Sequence, residues 1–110
     1  MGVRATALDT RSIAMLDRVV HEPVRLSILA CLYVVDEADF VFLQSQTEIT
    51  GGNLSSHIRR LDAEGYVSIR KEFENQRPKT TLSLTKAGRE AFEAYVGVLE
   101  GMLRSIKNVR

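Results

Sequence analysis

Apolar and polar positions along this chain recur with two different periods, and the change between them marks out its elements. In residues 9–20, Ile13, Leu16 and Val20 stand at helical spacing with Met15 and Val19 alongside, which predicts a first helix. His21-Glu22-Pro23 follows, and proline suits the first turn of a helix because its missing N–H would have no partner there. From Pro23 to about Val35, the positions Val24, Ile28, Cys31, Leu32 and Val35 form one apolar stripe, the pattern of a core-facing helix. The acidic run Asp36-Glu37-Ala38-Asp39 interrupts it. Asp39 is then placed to cap a short helix through Phe40, Leu43 and Gln44.

The segment 47–66, TEITGGNLSSHIRRLDAEGY, carries the most local information. Thr50 stands at an N-cap position, where its hydroxyl can accept from the amide of Asn53. Ile49 and Leu54 flank that cap as a hydrophobic staple. Leu54, Ile58 and Leu61 share one face at i, i+4 and i+7, and Gly65 supplies the left-handed residue that ends the helix. The opposite face is left to Asn53, Ser56, His57 and Arg60, with Ser55 and Arg59 nearer its flanks.

After Gly65 the period becomes two. Residues 66–73 alternate like a half-buried strand, 74–79 form a polar loop, and 80–85 return as a second strand. Thr85 can cap a final helix from Lys86 to about Lys107, with Ala87, Ala91, Ala94, Val98, Leu99, Met102 and Ile106 on its apolar side. Gly97 and Gly101 are weak points in that helix.

A chain of 110 residues has the size of one domain, and an apolar fraction of 45% is enough for one core. No apolar run approaches the roughly 20 residues of a membrane span, and the first residues lack the apolar block of a secretory signal. One cysteine, Cys31, cannot form an intramolecular disulfide; on an apolar stripe it reads as a small buried hydrophobe before a redox sensor. The expectation is a reduced, soluble, cytoplasmic protein. Net charge is only +1, but residues 1–52 carry four arginines against seven acids. Residues 53–86 carry seven Lys and Arg against four acids, so positive charge gathers where it could meet phosphates. A solvated face with chance asymmetry would look the same. No nucleophile–base pair and no glycine-rich phosphate loop is evident, so catalysis is not expected.

The order of elements, with a polar helix behind a tight turn and a two-stranded ribbon with a basic tip, suits duplex recognition. A helix fits the major groove, and a ribbon arginine can lie on the backbone or in the minor groove. At residues 21–29 (HEPVRLSIL), 53–67 (NLSSHIRRLDAEGYV) and 77–88 (RPKTTLSLTKAG), the sequence resembles the short single-domain winged helix-turn-helix regulators related to the MarR and ArsR groups. The resemblance covers about residues 15–95. It implies an α+β, mostly helical winged helix over 1–110, with a helix-turn-helix at 39–65, a hairpin wing at 66–85, and dimerisation helices at 1–20 and 86–110. It also implies a recognition helix at 51–64.

Two departures concern the wing. Asn75 stands where the MarR-type wing carries an acid, and the spacing from Arg77 to Leu84-Thr85-Lys86-Ala87-Gly88 is one residue longer. The paired cysteines of the ArsR metal motif are absent, and with only Cys31, His21 and His57 no metal or other cofactor is expected.

The expected DNA-binding residues are Gly52, Asn53, Ser55, Ser56, His57, Arg59, Arg60, Arg77 and Lys79. Asn53 and Ser56 are placed for base edges, Arg59 and Arg60 for phosphates, and Arg77 for the wing tip; Arg59 could instead pair with Asp62 or Glu64. The Gly51-Gly52 pair either allows close approach of the helix start to the backbone or is a flexible turn. The expected partners are double-stranded DNA with a palindromic operator and a second copy of the chain, with no membrane; no residue pattern specifies a small-molecule effector. The other reading is a winged-helix protein–protein module without DNA readout, which would more often expose apolar residues on 51–64.

Overall fold

The computed structural model describes residues 11–109. In chain order its elements are α1 (Arg11–Ala14), α2 (Pro23–Val35), β1 (Glu37–Asp39), α3 (Phe40–Thr47), α4 (Gly51–Ala63), β2 (Val67–Glu74), β3 (Arg77–Leu84) and α5 (Lys86–Lys107). The strands form one antiparallel sheet in the order β1-β3-β2. The architecture is the expected α+β winged helix, mostly helical, with β2 and β3 as the wing.

The helix starts follow from side-chain caps. Glu22 is held extended ahead of Pro23 and its carboxylate accepts from the amide of Arg25 at 2.7 Å. Asp39 accepts from the amide of Phe42 at 2.8 Å, Thr50 from Asn53 at 3.2 Å, and Thr85 from Gly88 at 3.0 Å. Each cap satisfies an amide that the helix itself leaves without a partner. α4 ends where Gly65, at φ 81°, lets the Tyr66 amide reach back to the Leu61 carbonyl at 3.0 Å.

The core is formed by Leu16, Val19 and Val20, by Ile28, Leu29 and Leu32 of α2, by Leu43, and by Leu54, Ile58 and Leu61 of α4, closed by Ala38, Val67, Leu82 and Tyr95. Three junctions tie the wing base down. Thr85 donates through Oγ1 to the Gly65 carbonyl at 2.6 Å and through its amide to the Tyr66 carbonyl at 3.1 Å. Gly88 lies so close that a Cβ there would sit 2.0 Å from the Tyr66 carbonyl oxygen. The Tyr66 hydroxyl donates to Asp17.

Several expectations are corrected. The helix expected over 9–20 is only α1 within the described residues; beyond it Asp17 accepts from the amides of Val19 and Val20 at 2.8 and 3.3 Å and turns the chain. The segment 36–39 contains a strand, because β1 pairs with β3 from Glu37–Ser83 to Asp39–Thr81. The loop expected at 74–79 is a two-residue turn, Asn75-Gln76, with φ of 52° and 64°, so Arg77 and Lys79 belong to β3. This is the twist that a tight hairpin demands. In α2, Leu29 rather than Val35 belongs to the core. In α5, Tyr95 is buried while Ala87 and Ala94 are exposed.

α5 extends well past this core. At about 1.5 Å per residue its 22 residues span roughly 33 Å, and the radius of gyration is 17.1 Å, against about 13 Å for a compact chain of this length. As far as Leu99 the helix covers the domain, through Ala91, Phe92, Tyr95, Val98 and Leu99. Beyond Leu99 it leaves Leu103 and Ile106 each 50% exposed.

Burial first, and then the bond to Asp17, push the Tyr66 phenol up to about 12. A phenol kept neutral longer in the folded chain contributes stability that is complete below the ordinary value of 10.0 and is lost as pH rises through about 12. Chemical denaturation across this range should show the wild type losing more stability than Tyr66→Phe. Parallel curves would mean that the Tyr66 phenol is neither buried nor bonded to Asp17 in solution.

Candidate nucleic-acid interface

α4 is amphipathic in the simplest way. Leu54, Ile58 and Leu61 enter the core, which turns Gly52, Asn53, Ser56, Arg59 and Arg60 outward. Ser55 is half-buried on the edge toward the sheet. His57, grouped by sequence with the outward face, is also half-buried: Arg25 donates to its Nδ1 at 3.1 Å, with the Glu22 carboxylate 3.7 Å away. The same Arg25 donates to the Val19 carbonyl at 2.6 Å, so His57 closes a polar junction between α4 and the start of α2. The local reason is that position 57 lies one residue from Ile58 and is carried toward the α2 cap.

The wing stands beside α4. Alternation along β2 puts Val67, Ile69, Lys71 and Phe73 on one face, and the register sets Lys71 opposite Thr80 and Phe73 opposite Pro78. A cleft of about 420 Å³ lies between this face and α4, lined by Phe40, Ser55, Ile58, Arg59, Ile69, Lys71 and Thr80. Arg59 and Lys71 thus approach one cleft from different elements, and neither makes an ion pair among the described residues. Lys71 was missed as a site residue, although the run Val67, Ile69, Lys71 at period two carried the signal.

Three of the other cations, Arg60, Lys79 and Arg70, are paired locally. Arg60 pairs with Glu64 at 3.3 Å, four residues on, so it is Arg60 rather than Arg59 that takes the expected helix partner. Lys79 pairs with Glu74 at 2.9 Å, and that bond raises its pKa. Arg70 is clamped on the far face of the sheet by Glu37 at 3.2 Å and Glu72 at 3.4 Å; its hydrogen bond holds the Glu37 carboxyl below its ordinary value. Arg77 is exposed at the tip and makes no such pair among the described residues. Exposed pairs of this kind are weak and exchange readily for other anions. Cys31 is half-buried, and burial raises its pKa, which disfavours the reactive thiolate.

A capped helix with an outward polar face, seated beside a two-stranded ribbon, defines a winged helix-turn-helix domain. The chain belongs to the winged helix DNA-binding domain family, whose model matches residues 24–103. Over 79 residues it is 34% identical to an uncharacterised protein of Methanocaldococcus jannaschii, covering 72% of this chain and 86% of that protein. It is similar to the structure of a transcriptional regulator homologue from Pyrococcus horikoshii OT3, with a TM-score of 0.80 and 30% identity, over 87% of this chain and 97% of that one. The crystal structure of MarR shares the fold at a TM-score of 0.67 and 19% identity, over 90% of this chain and 74% of that one. The winged-helix resemblance therefore holds, and the likeness to MarR is one of fold. No helix among the described residues is long and apolar enough to cross a membrane.

Glycine in the first turn of α4 costs helix stability, and a Cβ at Gly52 would meet nothing within 4 Å. Gly52→Ala should therefore raise the melting temperature, by an amount equivalent to as much as about 1 kcal/mol. A lowered melting temperature in calorimetry would show that Gly52 has a role inside the fold.

Proposed function

We propose that this protein is a cytoplasmic transcriptional regulator that binds duplex DNA sequence-specifically as a homodimer and works by binding rather than catalysis. The observation that carries this reading is the juxtaposition of the outward polar face of α4 with Arg59 and Lys71 across the α4–wing cleft. In this reading α4 lies in the major groove, with Asn53 and Ser56 at base edges and Ser55 at their flank. One DNA strand crosses the cleft, its phosphates met by Arg59 and Lys71. Arg60 and Lys79 exchange their carboxylate partners for phosphates, and Arg77 reaches the backbone or minor groove. Gly52, with no neighbour to accommodate, lets the free amides at the start of α4 come close to a phosphate. His57 acts indirectly, by holding α4 against α2. The absence of large apolar side chains from the outward face of α4 favours DNA over a protein partner there.

The salt dependence of binding tests the electrostatic part. Affinity should fall by about 0.9 log units per log unit of salt for each phosphate neutralised. Arg59→Ala and Lys71→Ala should weaken all sequences alike and reduce that slope, whereas Asn53→Ala or Ser56→Ala should erode the preferred site's margin by about 1–3 kcal/mol. Fluorescence anisotropy over a salt series distinguishes the two. Binding indifferent to salt would overturn the reading, as would an unchanged margin over random DNA in both polar variants.

The dimer would be built from the chain's ends. α1 touches α5, and Ile13 and Met15 at one end of the chain and Leu103 and Ile106 at the other are exposed. Val98 and Leu99, by contrast, fold back onto their own core. A two-fold pairing of these apolar ends would set two copies of α4 about one duplex turn of 34 Å apart, or a multiple of it, and would select a palindromic operator. Light scattering should give twice the 12.3 kDa chain mass. The double variant Leu103→Asp with Ile106→Asp should be monomeric and bind an operator far more weakly. A wild-type monomer at micromolar concentration would count against this assembly.

A further inference from the structure

The wing carries one residue that neither the core nor the cation pattern explains. Phe73 is 76% exposed, one rung before the turn. A lone exposed apolar side chain is ordinary; what distinguishes Phe73 is its setting. Its cross-strand partner is the exposed Pro78, so ring and pyrrolidine share one face of the ribbon. Beyond them the turn and the start of β3 present the N–H donors of Asn75, Gln76 and Arg77, and the neighbouring Glu74, on the opposite face of β2 by strand alternation, is paired with Lys79. An apolar wedge flanked by amide and guanidinium donors suits a minor groove, whose floor offers mainly acceptors and whose base steps can be pried apart.

Position along the strand gives the same answer. Phe73 lies two residues beyond Lys71 on the same face, about 7 Å further from the cleft. A DNA strand lying across Arg59 and Lys71 has the major groove on its α4 side. The minor groove then opens on its other side, where Phe73 projects.

We propose, resting on the DNA-binding reading above, that Phe73 backed by Pro78 is an apolar wedge pressed into the minor groove. It selects easily unstacked pyrimidine–purine steps outside the major-groove half-site. The wing thereby contributes specificity through DNA deformation, in addition to the charge of Arg77.

The test is selection from a random-sequence duplex library by full-length wild type, Phe73→Ala, Phe73→Leu and Asn53→Ala. End-labelled energy transfer then measures bending on the enriched duplex. Wild type and Phe73→Leu should enrich TA or CA steps flanking the half-site and bend the duplex. Phe73→Ala should keep the half-site, lose the flanking preference and the bend, and bind about tenfold more weakly. If Asn53→Ala loses the half-site consensus while Phe73→Ala matches wild type in preference, bend and affinity, the DNA reading stands and the wedge is wrong. A wild type that enriches no sequence overturns both. A change in the mass of the protein by light scattering in Phe73→Ala, with DNA preference intact, would assign the ring to a protein contact and overturn the wedge.

Discussion

The seating of α4 by three side chains is the constraint on which the remaining geometry rests. Leu54 and Leu61 are fully buried and Ile58 nearly so, each contributing about 1.5–3 kcal/mol relative to exposure. Because successive residues of a helix are rotated by about 100°, fixing these positions also fixes which residues face outward. Asn53, Ser56 and Arg60 do not hold the outer face through bonds to the core. They are there because the apolar stripe leaves them nowhere else. The Thr50 cap completes the effect by setting where the first turn begins, and so where the amides of Gly51 and Gly52 are directed.

A second constraint places the wing relative to that helix. The end of α4, the start of β2 and the start of α5 meet at Gly65 and Tyr66. Thr85 binds both carbonyls, the bare Cα of Gly88 admits one of them, and the Tyr66 ring reaches Asp17. With the strand bases tied at this point, strand alternation alone carries Lys71 to the cleft opposite Arg59 and Phe73 beyond it. The polar face of α4 and the inner face of the ribbon are consequently presented as one surface.

Charge is distributed in the same sense. A chain with a net charge of only +1 has no large overall field to attract a polyanion. Here Glu37 and Glu72 hold Arg70 on the far side of the sheet, while Arg59, Lys71 and Arg77 make no carboxylate pair among the described residues. The Arg60–Glu64 and Lys79–Glu74 pairs, like those of Arg70, are exposed and weak, but Arg60 and Lys79 lie where their cations can be redirected to an anion at the cleft or tip. Local pairing thus concentrates positive potential at the cleft and tip without raising the net charge.

Elements whose signals are local were legible in the sequence. The caps at Asp39, Thr50 and Thr85, the stripe Leu54, Ile58 and Leu61, the turn at Gly65 and the bounds of α2 and α5 each depend on residues within about two turns of one another. Elements that exist only through distant partners were not legible. β1 has three residues and no period of its own, and it is a strand because β3 lies beside it. The end of α1 is a local exception: Asp17 binds the amides of Val19 and Val20, and the helical spacing of Ile13, Leu16 and Val20 masked that turn. Tyr95 is buried in place of Ala94 because of how α5 meets the core, with its hydroxyl 2.8 Å from His21 Nδ1. The site divides in the same way: the outward residues of α4 follow from helical period, but the inward turn of His57 required Arg25, 32 residues away. The convergence of Arg59 and Lys71 required the sheet to be docked against α4. By itself the sequence determined the helices, their caps and their polar faces, because those depend on backbone hydrogen bonds a few residues apart. Tertiary structure alone decided which faces meet, because that depends on packing between segments whose separation along the chain leaves no local trace.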